Sequence, residues 1–101
     1  MNTHAEDLHE EIRRLRIRIS SFTTAQLNAP DANNVSRRER IRMCLQDLAD
    51  VRSTGTVPHL SDRVLADQMV VLLTDCQPEY GASDDQTRQA LHLAQDLRRR
   101  L

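Results

Sequence analysis

Residues 64–76 form the segment that most constrains how this chain can fold. Their sequence is Val-Leu-Ala-Asp-Gln-Met-Val-Val-Leu-Leu-Thr-Asp-Cys. On a helical wheel the larger apolar side chains make one broad stripe. They are Leu65, Met69, Leu72 and Cys76, widened by Val70 and Leu73. So broad an apolar surface is typical of a helix in the middle of a bundle, and we expect this helix to be the most buried one.

Three more segments have the apolar spacing of a helix. Residues 5–22 place an apolar side chain at every third or fourth position, which is typical of a coiled-coil-like seam. Capping boxes begin the other two, at Ser36 with Glu39 and at Ser83 with Gln86. No segment alternates in the manner of a strand. The sequence therefore predicts an all-α fold, a four-helix, mostly antiparallel bundle. Its helices cover about 5–22, 37–51, 62–77 and 84–101, with Ser61 as the N-cap of the third.

The chain is expected to form a single helical domain over residues 1–101, since this length fits one domain with one core. A long connection lies at about 23–35, where Pro30, Asp31 and two asparagines are turn-forming residues. This connection can hold a short helical turn around 25–27, or it can be a mobile binding loop. The sequence does not choose between the two.

The charged residues are unevenly distributed along the chain. The net charge of −1 indicates no overall attraction to nucleic acid or to an anionic membrane, yet all fourteen basic residues are arginine. Arginine binds carboxylates and phosphates through two parallel hydrogen bonds. Two clusters, on the first and second predicted helices, form a candidate patch for an anion or an acidic partner. The patch comprises Arg13, Arg14, Arg16, Arg18, Arg37, Arg38, Arg40 and Arg42.

Two interpretations of these clusters remain open. In an up-down-up-down bundle, the start of the second helix lies at the same end as a group of acids between the third and fourth helices. These acids are Asp75, Glu79, Asp84 and Asp85. The basic and acidic groups would then neutralise each other, which would offset the unfavourable position of arginines at a helix N-terminus. Alternatively, the arginines form one positive patch that binds a partner.

The first helix carries a second candidate surface, for a protein partner. Its seam is uninterrupted, and Ile17 lies off that seam among arginines. An apolar surface of this width can serve both the bundle and a partner. The candidate partner interface comprises Leu8, Ile12, Leu15, Ile17 and Ile19. If Ile17 belongs to it, Ile17→Glu should change the oligomeric state or partner binding.

We predict no catalytic residues, no metal site and no cofactor. The four histidines do not occur at the spacing of a helical metal pair, and there is no Cys-x-x-Cys or Gly-rich phosphate loop. Cys44 and Cys76 each lie on an apolar helical face, so we expect two buried thiols and no disulfide between them. The serines are explained as helix caps. The chain is therefore not expected to be an enzyme.

The sequence gives little support for a helix-turn-helix, a signal peptide or a membrane span. A helix-turn-helix reading of 37–77 is disfavoured, because the connection 52–60 is too long and the acids of the third helix would repel phosphates. Residues 1–7 lack the pattern of a signal peptide, and no apolar run of about 20 residues occurs, so we expect a cytoplasmic location and no membrane contact.

The leading hypothesis is a small non-catalytic interaction or regulatory protein that acts through helical surfaces. Its expected partner is another protein or a second copy of itself in a homodimer. The alternative is nucleic-acid binding, in which the arginine clusters contact the phosphate backbone.

Overall fold

The computed structural model describes residues 3–101, which contain four long helices and one short helix. The helices are α1 (Thr3–Ser20), α2 (Thr24–Asn28), α3 (Arg37–Val51), α4 (Leu65–Asp75) and α5 (Asp84–Arg100). Short 3₁₀ turns precede and follow α4, at Asp62–Val64 and Pro78–Tyr80. No strand forms within residues 3–101, where a single isolated bridge joins Pro30 and Ser36. The predicted all-α, four-helix fold is confirmed.

The four long helices surround one aliphatic core. α1 packs against α4 and α5, and α3 packs against the same two helices. Within the described part of the chain, α1 and α3 make at most marginal contact, and so do α4 and α5. These two pairs therefore face each other diagonally across the core.

Contacts at the helix ends show that α1 and α5 run in the same direction. His4, near the start of α1, lies 3.8 Å from Asp84 at the start of α5. At the other end, the Arg18 guanidinium donates a hydrogen bond of 2.5 Å to the carbonyl of Leu101.

By the same criterion α3 and α4 are parallel to each other. Arg38 at the start of α3 binds Asp62 just before α4, at 2.6 Å, and Arg52 after the end of α3 lies 3.5 Å from Asp75 at the end of α4. The chain reverses direction between α4 and α5, where the Thr87 hydroxyl donates to the carbonyl of Cys76. Among long helices that follow each other in the chain, the direction is thus mostly antiparallel, as predicted, and the α3–α4 pair is the exception. Because of that exception, α1 and α5, which also pack together, are parallel as well.

The connection between α3 and α4 explains this exception. Residues 52–61, which we call the return segment, run back along α3. The Gln46 side chain accepts from the Val57 amide and donates to the Gly55 carbonyl, and Arg42 donates to the carbonyl of Leu60. Ten extended residues can reach roughly 33 Å, which exceeds the roughly 22 Å length of a 15-residue helix. The return segment therefore starts α4 at the end of the bundle where α3 starts.

The segment 64–76 is well buried, as expected, and its helix α4 has the smallest share of exposed residues among the four long helices. Leu65, Met69 and Leu73 of α4 are fully buried, together with Cys76 after its end. Val71 lies on the opposite side and is 64% exposed. α4 is one of four peripheral helices, and the breadth of its apolar surface exceeds what the bundle covers.

The connection after α1 forms a short helix rather than a mobile loop. Thr23 and Gln26 make a capping box that starts α2, and Leu27 is buried in the core. The extended backbone that Thr23 adopts as a cap ends α1 at Ser20, two residues before the predicted end at Phe22. The predicted box at Ser83 is complete. At Ser36 half of the predicted box forms: Ser36 accepts from the Glu39 amide, but the Glu39 side chain makes no return bond to the Ser36 amide.

One predicted cap is absent from the structure. Ser61 makes no side-chain capping bond, and a 3₁₀ turn leads from it into α4.

Candidate interaction surfaces

The predicted partner interface on α1 is mostly closed within the chain itself. Leu8, Leu15 and Ile19 belong to the buried core, and Ile12 is partly buried against it. Ile17 is 59% exposed. On this helix, Ile17 is therefore the predicted contact residue that a partner can reach without the bundle opening.

Two arginines of the predicted anion patch are held in ion pairs. Arg38 makes a bidentate contact with Asp62, at 2.7 and 2.6 Å, and its third nitrogen contacts Asn28. Arg40 donates to Asp31 at 2.8 Å. Hydrogen bonds from these arginines hold the pKa of both aspartates below its usual range. Each pair places a carboxylate beside the N-terminal turn of α3, which offsets the unfavourable charge order there.

Three more arginines bind backbone carbonyls. Arg42 donates to Leu60, Arg37 to Gln26, and Arg18 to Leu101. The guanidinium carbons of Arg18 and Arg37 also lie 4.9 and 5.0 Å from the centre of the Phe22 ring, within the range of cation–π attraction. These contacts bring the two arginine clusters of the sequence together at one end of the bundle.

The remaining arginines of the patch lie on the exposed side of α1. Arg13 and Arg14 both contact Glu10, at 2.7 and 3.4 Å, and the second of these pairs has the i,i+4 spacing of neighbours on a helix surface. Arg16 is exposed and makes no ion pair or hydrogen bond within residues 3–101. Within residues 3–101 the patch is therefore a network of seven partnered arginines, and Arg16 is the one member without a partner.

The interpretation that the arginines of α3 share one end of the bundle with Asp75, Glu79, Asp84 and Asp85 is wrong. The parallel course of α3 and α4 places these acids at the other end, where Arg52 lies 3.5 Å from Asp75. The compensation is still internal for Arg38 and Arg40, but it comes from Asp62 and Asp31. The interpretation is wrong because it assumed an up-down-up-down bundle, in which α3 and α4 would be antiparallel.

Charge is consequently separated along the length of the bundle. We call one half basic: the C-terminal halves of α1 and α5, the N-terminal half of α3, the N-terminal half of α4 with the 3₁₀ turn before it, and the connection between α1 and α3. Of the fourteen arginines, this half holds all except Arg52 and Arg88. It also holds five acids. These acids are Asp31, Glu39, Asp62, Asp67 and Asp96. Twelve arginines and five carboxylates give it a formal charge of +7, and the acidic half, with two arginines and ten carboxylates, carries −8.

An apolar surface lies on the outer side of α4. Two open depressions, of about 420 and 440 Å³, adjoin each other there, and Thr54, Val71 and Leu72 line both. The first lies between α4 and the return segment, and the second extends to Tyr80, which is 58% exposed. We call this surface the α4 face; it comprises Val57, Pro58, Val64, Val71, Leu72 and Tyr80.

Sequence reasoning missed the α4 face, although a signal was present. Val71 lies two residues after Met69 and two before Leu73, so it projects away from the core stripe that those residues form. It is an off-seam apolar residue, as Ile17 is on α1. Tyr80 carried no comparable signal, because the turn after α4 orients it.

The two cysteines are buried thiols, as expected, and both are free. Burial raises the pKa of Cys44 to about 12 and that of Cys76 to about 11. Both side chains are therefore protonated at neutral pH. Within residues 3–101 no group of three or more histidine, cysteine, aspartate or glutamate side chains is arranged to hold a metal ion.

None of the helices in the described part of the chain combines the length and the hydrophobicity that crossing a membrane requires. The chain matches no protein family, no curated protein and no solved structure.

Proposed function

We propose that this chain is a small non-catalytic interaction or regulatory protein that binds another protein through its helical surfaces. The observation that supports this most is the α4 face, where Val71 is 64% exposed between two apolar depressions. Contiguous apolar patches on a folded domain are typical of protein contact sites. Tyr80 at the edge of the face adds an aromatic side chain of the kind enriched in interfaces.

Two further observations favour a non-catalytic protein in a reducing compartment such as the cytoplasm. The raised pKa values of Cys44 and Cys76 keep both thiols protonated, and a protonated thiol is a poor nucleophile. The same two thiols are free and buried, which suits a compartment where disulfides do not form.

A matched pair of variants tests whether the α4 face is the contact surface. Val71 and Ile17 are both exposed aliphatic residues within long helices. Val71 lies near the middle of α4, and Ile17 lies in the last turn of α1. Val71→Glu should abolish binding to a partner that the wild-type chain retains from its native extract, and should also abolish any self-association. Ile17→Glu should leave both unchanged.

The two variants also separate the proposal from its competitors. Loss of binding in Ile17→Glu alone would move the contact surface to α1, as the sequence first indicated. Full binding by both variants would overturn a contact through apolar helical surfaces. Circular dichroism on both variants checks that each is folded.

A second candidate function is polyanion binding through the basic half. The separation of charge favours it, because the net charge of −1 conceals a local excess of arginine. Arg16 and Arg63 are the groups to change, because both are exposed and neither makes an ion pair or hydrogen bond within residues 3–101. If this function holds, mixed RNA and DNA probes bind at low salt, affinity falls steeply as salt rises, and Arg16→Ser with Arg63→Ser weakens binding. Absence of binding at low salt would exclude it.

A further inference from the structure

The α4 face connects the two charged halves of the molecule. Val71 is near the middle of α4 (Leu65–Asp75), so it lies close to the boundary between them. Arg63 adjoins Val64 at the basic end of the face, and Glu79 adjoins Tyr80 at the acidic end. Each is therefore next in sequence to one end of the α4 face, whose depressions are mainly apolar but are also lined by Asp67 and Asp75.

Arg63 and Glu79 are both exposed and make no ion pair with any other described residue. They cannot pair with each other within one chain. The eleven residues of α4 between them span roughly 16 Å by helical rise alone, before the two flanking turns are added. Both charges are therefore solvated in the single chain and accessible to opposite charges of a partner.

We propose that the α4 face binds a second copy of this chain in antiparallel orientation, about a two-fold axis near Val71. This inference rests on the proposed function, and it names the partner and the geometry. In such a dimer Val71 packs beside Val71 of the other copy. Arg63 of each copy then lies toward Glu79 of the other, at both ends of the α4 face.

The separation of charge selects this orientation. A two-fold contact uses the same surface on both copies and closes the assembly at two. If the axis ran along the bundle, the +7 half of one copy would lie beside the +7 half of the other, and such juxtaposition of like charges is costly. An axis perpendicular to the bundle places each basic half against an acidic half.

The dimensions and the local charges of the face fit a dimer. The molecule measures 41 × 25 × 24 Å, and its long side offers room for the roughly 800 Å² per partner of a stable interface. The antiparallel arrangement also brings Asp67 toward Asp75 of the other copy. Arg52, 3.5 Å from Asp75 in the same chain, offsets that repulsion.

A charge-swap mixture tests the inference. Light scattering after size exclusion at low salt should give a dimer for the wild-type chain. Arg63→Glu alone and Glu79→Arg alone should each dimerise at least about tenfold more weakly, because both end contacts become repulsive. An equal mixture of the two variants should regain dimer, since all end contacts in the mixed pair are again opposite in charge. Arg99→Glu on α5, the helix diagonal to α4, should dimerise as the wild type does.

Three other outcomes distinguish a failure of this inference from a failure of the proposed function. If the wild type dimerises and Val71→Glu is monomeric, but mixing restores nothing, the antiparallel orientation is wrong and the apolar contact stands. A wild type that stays monomeric while Val71→Glu loses a different protein partner overturns the second copy alone. A monomeric wild type whose binding Val71→Glu leaves intact overturns both.

Discussion

Glu11 is a charged residue at a core position of α1. It is 2% exposed, and its carboxylate accepts two hydrogen bonds from Arg98 of α5, at 2.5 and 3.1 Å. Glu11 lies three residues after Leu8 and four before Leu15, so it shares their side of the helix, although the seam predicted from the apolar residues runs through Ile12 instead. Its partner, 87 residues away, could be assigned only from the fold.

Arg98→Ala should therefore destabilise the protein, because it leaves a buried carboxylate without its partner. We expect the free energy of unfolding to fall by about 1 to 3 kcal/mol, below the usual range for a buried pair because the Arg98 side chain is 38% exposed. Arg99→Ala, at an exposed side chain 3.8 Å from Asp96, should change it by less than about 0.5 kcal/mol. Urea unfolding measures both, and equal effects would contradict the buried-pair account.

The thiols of Cys44 and Cys76 should resist alkylation in the folded protein. Burial raises their pKa values to about 12 and about 11, from an ordinary value of 9.0, so neither forms thiolate at pH 8. Iodoacetamide at pH 8 should modify both residues in urea and neither in buffer, by mass spectrometry. Rapid modification of the native chain would show that the helices open around them.

These pKa values also predict how stability depends on pH. Above pH 9 the unfolded chain loses thiol protons that the folded chain keeps, so it binds fewer protons. The contribution of the two thiols is therefore present below pH 9 and is lost as the pH rises from 9 toward 12. Cys44→Ala with Cys76→Ala should flatten this part of the stability curve.

At the scale of elements, the return segment decides the order of the bundle. Most helix boundaries were predicted from apolar spacing and caps, and α3 begins and ends where expected, at Arg37 and Val51. The relative direction of α3 and α4 was harder to predict, because a ten-residue connection can either turn sharply or run back along a helix. Gln46 holds it in the second course through its bonds to Gly55 and Val57.

Gln46→Ala should loosen the return segment without unfolding the bundle. Two hydrogen bonds to that segment are lost, which we expect to cost about 1 to 2 kcal/mol. Hydrogen exchange should accelerate at the Val57 amide, whose acceptor is the Gln46 side chain, and stay slow in the core of α1. Gln89→Ala is the matched control with little effect, because the one side-chain hydrogen bond of Gln89 within the described residues goes to Asp85 on the same exposed side of α5. Unchanged exchange at Val57 would mean that other contacts hold the segment.

At the scale of the whole molecule, charge separation distinguishes this chain from others of similar net charge. The sequence shows acids first and arginines second on α1 and α5, and the reverse order on α3. The charge orders of the separate helices reinforce each other along the bundle only when α1 and α5 run in one direction and α3 runs in the opposite one. The fold meets that condition, so the basic residues of three helices gather in one half.

The chain should therefore bind both cation-exchange and anion-exchange resins at pH 7 and low salt, despite its net charge of −1. Each half can face a resin of opposite sign. Replacing Arg16, Arg63 and Arg99 with serine should lower the salt concentration of elution from the cation exchanger and raise it from the anion exchanger. Retention on the anion exchanger alone for the wild type would contradict the separation of charge.

The sequence by itself determined the four long helices, most of their boundaries and the aliphatic core, because apolar spacing and caps act between residues three or four positions apart. Only the tertiary structure decided which helices are parallel, which acids neutralise Arg38 and Arg40, and that Val71 lies exposed on an apolar face. Those outcomes depend on contacts between residues far apart in sequence, such as Arg52 with Asp75. Such contacts form only when the return segment and all four helices pack together. The spacing of apolar residues within one helix does not determine that arrangement.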